Sequence, residues 1–239
     1  MRSKSSVEDI RARFDADVER FSNLETGQSA TVDAVVSLDL IAQAAAAVNP
    51  EAESLLDLGC GAGNFTLRLL DTGVPIRDVT LIDLSQPMLD RAVERIQATS
   101  SAQVSTFQTD LREWSFPQQQ YDVVLAAAVL HHLRSEEEWK TTLKRIFESL
   151  KPGGSFWIFD LVNYQSTAVH QLMWARYGDY LTQLKDAEYR DHVFEYIEIE
   201  DSPRPLSEQL FWLRDVGFES IDVLHSNTCF AAFGGVRPL

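Results

Sequence analysis

A chain of 239 residues, 45% of them hydrophobic and with a formal net charge of -15, is long enough to bury one sizeable core, and we expect one domain carrying an insertion. The acidic balance serves solubility first and repels phosphate backbones, which disfavours nucleic acid as a partner. No apolar run is long enough to span a bilayer, no secretory h-region is seen, and the two cysteines, Cys60 and Cys229, form neither a disulfide framework nor a C-x-x-C pair, so the expectation is a cytoplasmic protein with no membrane contact.

In chain order, Val7, Ile10, Phe14, Val18 and Phe21 recur at steps of three and four, which predicts an amphipathic helix over Val7 to Phe21. It either packs on the flank of the core or forms a flap that sets Phe14 or Phe21 against a ligand. Asn23 to Ser29 reads as a polar loop. A second helix runs from Leu38 to Val48 and ends at Asn49 and Pro50.

Ser54 to Leu58 alternates too little to be half-exposed and reads as a buried parallel strand. Gly59, Gly61 and Gly63 follow, then a helix with Phe65, Leu67, Leu69 and Leu70. Glycines allow the backbone to turn sharply and a ligand to come close. A dinucleotide fingerprint needs G-x-G-x-x-G, but the pattern here is D-x-G-x-G-x-G, with Asn64 where the last glycine belongs. Asp57 before the loop suits a ligand with an ammonium group rather than a diphosphate.

A second strand, Asp78 to Asp83, ends on a carboxylate placed to accept from both hydroxyls of a ribose. Ser85 is the better N-cap for the helix carrying Met88, Leu89, Ala92, Val93 and Ile96. The third strand, Gln103 to Thr109, leads to Asp110 and Leu111, where a carboxylate can accept from an adenine amino group and a neighbouring amide can donate to a ring nitrogen. Tyr121 to Ala127 is the fourth strand, and His131 and His132 lie just past its tip.

Ser135 and Glu138 stand at capping-box spacing before a helix burying Trp139, Leu143, Ile146, Phe147 and Leu150. Lys151 to Gly154 stop it, and Ser155 to Leu161 is a buried fifth strand. The segment Val162 to Arg204 holds Tyr164, Tyr177, Tyr180, Tyr189 and Tyr196. Its apolar residues from Val169 to Leu184 keep helical spacing, so most of these rings belong to a packed helix and the rest wall a pocket. Acids outnumber bases in this segment, which suits a solvated face, a homodimer rim or a cationic substrate. A helix over Leu206 to Val216 precedes Phe218 to Leu224 and Cys229 to Phe233, joined as a hairpin through His225 to Thr228. His170, His192 and His225 show no ligand spacing with carboxylates, so no metal is expected. The thiol of Cys60 is not read as a nucleophile; its backbone amide is the expected contact.

The motifs LLDLGCGAGNFTLRLL, LIDLSQPMLDRA, QTDLREW, YDVVLAAAVLHHL, LKPGGSFWIFD and LRDVGF together resemble the class I S-adenosylmethionine-dependent methyltransferases. They are most similar to the branch acting on small molecules, which includes the ubiquinone and menaquinone biosynthetic enzymes. The resemblance implies an α/β, Rossmann-like sheet of five parallel strands closed by an antiparallel pair, with helices on both faces. It implies S-adenosyl-L-methionine as cofactor, with its methionine part at Asp57, Gly59, Cys60 and Gly61, its ribose at Asp83 and its adenine at Asp110 and Leu111. Leu84, Met88 and Ala127 complete the expected contacts. The chain then divides into an N-terminal helical cap over 1–49, a cofactor-binding core over 50–161, a substrate-cap insertion over 162–204 and a closing helix and hairpin over 205–239.

The implied activity is in-line methyl transfer to a small-molecule acceptor, aromatic or cationic. Orientation and desolvation supply most of the acceleration, and a base is required only for an acceptor such as a hydroxyl. His132 is the candidate base, and the ordinary alternative is a histidine that holds a loop carbonyl. Two other readings are a non-catalytic S-adenosylmethionine-binding partner subunit and, against the loop spacing, an NAD-dependent dehydrogenase.

Overall fold

The structure, a computed structural model, describes residues 4–23 and 28–239, so part of the loop expected over Asn23 to Ser29 lies outside the described residues. Strands β1 (Ser54–Leu58), β2 (Asp78–Asp83), β3 (Gln103–Gln108), β4 (Tyr121–Ala127), β5 (Leu150–Leu161), β6 (Glu219–Asn227) and β7 (Phe230–Val236) form one seven-stranded sheet in the order β3-β2-β1-β4-β5-β7-β6. The first five are parallel. β7 runs antiparallel between β5 and β6, which is the closing pair that the motifs imply.

Around the sheet are α1 (Val7–Ala16), α2 (Val18–Ser22), α3 (Ala34–Val48), α4 (Asn64–Leu70), α5 (Gln86–Thr99), α6 (Glu136–Ser149), α7 (Thr167–Leu184), α8 (Ala187–Glu200) and α9 (Leu206–Val216). Alternate side chains of each strand point to opposite faces. On one face Leu55, Leu81, Leu125 and Trp157 pack with Leu38, Phe65, Leu89 and Ile96, and the insertion adds Tyr177, Leu181 and Ile197. On the other face Leu56, Leu58, Val124 and Phe156 pack with Trp139, Leu143, Ile146, Trp212 and Leu213. With helices on both faces β1 is buried along its whole length, which is why Leu55, Leu56 and Leu58 place apolar side chains on both faces of the sheet. Ser85 caps α5 and the Ser135–Glu138 capping box starts α6, both as the sequence predicts.

Four boundaries differ from the sequence expectation. The helix expected over Val7 to Phe21 breaks at Asp17, whose amide donates to Phe14 rather than continuing the α-helical ladder; the break brings the rings of Phe14 and Phe21 to 5.6 Å between centroids. α3 starts at Ala34, four residues before Leu38, because Val32, Ala34 and Ser37 are buried as well. β5 starts at Leu150 rather than Ser155: α6 ends at Ser149, and Lys151 to Gly154, with Gly153 at φ +78°, form an irregular stretch between the pairing of Leu150 with Tyr121 and that of Ser155 with Val123. The hairpin turns at Thr228 and Cys229, with Thr228 at φ +50°, so His225 lies inside β6. There His225 Nε2 and Asn227 Nδ2 each meet Asp33 Oδ2 at 2.8 Å. The insertion contains a second helix, α8, beyond the predicted one.

β1 pairs with β2 on one side and β4 on the other. The direction of winding reverses there, and the crevice beyond the carboxyl ends of such strands is where ligands bind in doubly wound sheets.

Candidate cofactor and acceptor site

The loop after β1 is fixed by backbone geometry before any side chain acts. Gly59 has φ +64°, and a Cβ there would lie 2.6 Å from Val129 Cγ2, so only glycine fits. The amides of Gly59 and Cys60 both donate to Ile82 O, at 2.8 and 3.1 Å. This corrects the expectation for Cys60: its amide is taken up by β2, and its buried thiol is pushed well above the ordinary range by desolvation. Gly61 faces open space. At the position where a dinucleotide fingerprint has its last glycine, Asn64 donates to Phe21 O at 2.8 Å and accepts from Arg95 at 2.8 Å. That side chain ties the loop to α2.

Asp83 accepts from Gly61 N on Oδ2 and from Ser85 N on Oδ1, each at 2.9 Å. A carboxylate has about four lone-pair positions, so acceptor capacity remains. Asp57 is fully buried; its Oδ2 accepts from Thr66 Oγ1 at 2.7 Å, while Oδ1 has no partner among the described residues. Burial pushes its carboxyl up to about 7, against the opposing Thr66 bond. Burial likewise takes Asp83 to about 6. An unpaired buried carboxylate oxygen and an open Gly61 are what an ammonium-bearing ligand folded over this loop needs.

Asp57, Gly59, Cys60, Gly61, Asp83, Leu84, Met88 and Ala127 line one cavity, roofed by Phe14 and Phe21. Asp110 and Leu111 line an adjoining one, and Gly59, Asp83, Leu84, Val129 and His132 border both. Asp83 therefore borders both cavities, with Asp57 in one and Asp110 in the other. Asp110 differs from expectation in one respect: its two oxygens are engaged by the Arg112 amide and guanidinium, and those bonds hold its carboxyl below the usual range although burial opposes them.

A third, larger cavity of about 400 Å³ opens beside them. It is lined by Phe14, Phe21, His131, His132, Tyr177, Tyr189, Tyr196, Phe230, Arg13 and Asp201 among others. Phe14, Phe21, Ala128 and His132 border this cavity and the one containing Asp57. Ala128, with φ +50°, turns the chain sharply after β4. The turn lays Val129 over Gly59 and starts the short 3-10 turn Leu130–His132.

The two histidines have separate environments. His131 Nδ1 bonds Asp160 Oδ1 on β5, and Asp160 Oδ2 accepts the amides of Leu130 and His131 at 2.8 and 3.2 Å. Burial opposes a charge on His131, but Asp201 and Asp160 outweigh it and hold its pKa above the ordinary value. His132 is kept neutral by burial and then by the positive charges of His131 and Arg13. The expected loop-holding role thus falls to His131, through carboxylates rather than a carbonyl. Arg13 closes the N-terminal segment over the cavity: its Nη2 meets Glu200 Oε2 at 2.7 Å and donates to Tyr196 Oη at 2.6 Å. Of the insertion tyrosines, Tyr164 faces away and bonds Thr228 O. Asp160, Asp201, Arg13 and Arg112 were not singled out by sequence reasoning, since each acts across a tertiary contact or as a partner to a motif acid.

A sheet with this order, a hairpin closing it, and a glycine loop and strand-tip acids around adjoining cavities define the methyltransferase version of the Rossmann-like fold. Residues 55–154 match the family described as methyltransferase domain. Over that stretch the chain is similar to methyltransferases. It is 36% identical over 113 residues to a putative methyltransferase, YqeM, of Bacillus subtilis, covering 47% of this chain and 43% of the relative. It is 33% identical over 101 residues to demethylmenaquinone methyltransferase of Lactococcus lactis, covering 42% and 39%. The chain spans less than half the length of these curated relatives. Among solved structures, the DhpI-SAM-HEP complex superposes with a TM-score of 0.64 at 20% identity over 100% of both chains. An O-methyltransferase family protein of Burkholderia thailandensis gives 0.67 at 17% identity, covering 95% of this chain and 62% of that one; both likenesses concern the fold. No helix among the described residues is long and apolar enough to cross a membrane.

Proposed function

We propose that this chain methylates a small, aromatic acceptor held in the cavity between the core and the insertion. S-adenosylmethionine supplies the methyl group. Asp57 Oδ1 receives the ammonium of its amino acid part, the free lone pairs of Asp83 receive the ribose hydroxyls, and Leu111 with Asp110 borders the adenine. Leu84, Met88 and Ala127 pack against the rest. The observation that carries the reading is His132, which borders the ligand crevice and the 400 Å³ cavity at once and so stands where the two ligands meet.

The acceptor side is a ring-lined chamber of Phe14, Phe21, Tyr177, Tyr189, Tyr196 and Phe230, which favours a planar apolar body. Relatives named for small-molecule acceptors, demethylmenaquinone among them, support this class. The chamber orients the acceptor and excludes water, which is most of what an in-line transfer requires. His132, being neutral, puts no second positive charge beside a sulfonium and offers a lone pair to the proton of a hydroxyl acceptor.

Isothermal titration is expected to find S-adenosylhomocysteine binding, and a panel of phenols and quinols is expected to yield S-adenosylhomocysteine release. His132→Ala is expected to lower kcat while leaving S-adenosylhomocysteine affinity within about twofold. Failure to bind the cofactor product overturns the reading.

A further inference from the structure

We propose that His131, His132 and Asp201 form a binding site for a first-row divalent transition metal ion at the wall of the acceptor cavity. One ligand atom from each lies within 4.8 Å of the others. Asp201 Oδ1 is 3.3 Å from His132 Nδ1 and 3.5 Å from His131 Nε2. Ligands about 2.0–2.1 Å from a shared tetrahedral ion stand about 3.3–3.4 Å apart, so these separations match the edges of a coordination polyhedron.

The second observation is chemical. Asp201 is 4% exposed, and its Oδ1 makes no hydrogen bond; nor do His132 Nδ1 and Nε2, among the described residues. Buried polar atoms are nearly always satisfied, and an orphaned group calls for an absent partner. Here one carboxylate oxygen and one ring nitrogen are left unbonded side by side, with His131 Nε2 as the third donor. A divalent cation that takes the place of the proton on His131 satisfies all three together.

The support around the donors has the form seen at metal centres. His131 gives its Nδ1 to Asp160, and Asp160 is itself fixed by two backbone amides. A carboxylate behind a ligating imidazole sets the ring's orientation and aims the other nitrogen at the metal. Two imidazoles and one carboxylate on one side of an ion suit Zn²⁺, Fe²⁺ or Co²⁺ rather than Mg²⁺ or Ca²⁺, which prefer all-oxygen sets. All three donor residues border the acceptor cavity, so the open coordination positions face the space assigned to the acceptor. Spacing could not reveal the site, because Asp201 arrives from the end of α8.

The site stands on side-chain geometry and does not depend on the methyl-transfer reading. When the ion is bound, His132 is a ligand, and the proton-accepting role given to it above belongs to the metal-free protein.

The test is titration of the chelator-treated full chain with Co²⁺ alone, followed by visible absorption, and with Zn²⁺ alone by calorimetry. The expected result is one ion per chain and a ligand-field band. Asp201→Asn and His132→Ala are each expected to weaken binding at least tenfold, and Asp160→Asn by about 10–100-fold, while His170→Ala leaves it unchanged. His132→Ala serves if the more buried Asp201→Asn does not fold. No band and no heat, or binding that survives both ligand substitutions, overturns the proposal. S-adenosylhomocysteine affinity, measured on the same preparation, keeps that outcome separate from failure of the functional reading.

Discussion

Gly61 donates its amide hydrogen to Asp83 Oδ2 at 2.9 Å, which ties the glycine loop after β1 to the tip of β2. Asp83→Ala removes both the bond that shapes the loop and the acceptor assigned to ribose. Hydrogen bonds to charged groups contribute about 1.5–3 kcal/mol each. The S-adenosylhomocysteine Kd should therefore rise by at least tenfold in calorimetry, and a wild-type Kd would show that the two are uncoupled.

The raised pKa of Asp57, about 7 against an ordinary 3.8, makes a signed prediction about pH. Between those values the folded chain holds a proton that the unfolded chain has released, so the contribution of Asp57 to stability falls as pH rises from about 4 to about 7. Ligand binding runs the other way, because an ammonium group prefers the ionised carboxylate. S-adenosylhomocysteine affinity should tighten as pH rises through 7, by up to about tenfold per unit below it. Asp57→Asn should remove that slope and flatten the pH dependence of urea unfolding.

Arg13 joins α1 to the end of α8 through Glu200, with the two side chains 25% and 9% exposed. Breaking a pair whose acid is this buried leaves a charge without a partner. Arg13→Ala should lower unfolding free energy by about 1–3 kcal/mol, and the double variant with Glu200→Ala should recover part of the loss. A purely additive double-mutant cycle would show that the contact contributes nothing.

Gly59→Ala meets two obstacles, a Cβ 2.6 Å from Val129 Cγ2 and a φ of +64°. The left-handed conformation alone costs about 1–2 kcal/mol, and overpacking adds about 1–3 kcal/mol. Pairing it with Val129→Gly, which removes both Cγ2 and the Cβ that would lie 2.7 Å away, should return the second contribution and not the first, as read from thermal unfolding of the four proteins.

Much of the fold was legible because its signals are local. Buried strands in a parallel sheet carry apolar residues on both faces, as Leu55, Leu56 and Leu58 do around Asp57. Caps are written within a few residues, as at Ser85 and Ser135. Boundaries slipped where a tertiary need overrode propensity: the chain breaks at Asp17 to turn Phe14 and Phe21 over the crevice, and Leu150 pairs with Tyr121 ahead of a sequence that reads as a stop.

The sequence by itself determined the strand that ends at Asp57, the glycine loop, and an acid at each of two further strand tips, since all are properties of contiguous residues. Which groups those residues meet was decided only by tertiary structure. The amide of Cys60 is taken up by Ile82, Asp110 is engaged by Arg112, and His131 and His132 acquire their character from Asp160 and Asp201. Electrostatics and hydrogen bonding act through distance in space, and the folded path, not the spacing along the chain, brings Asp201 within 3.3 Å of His132.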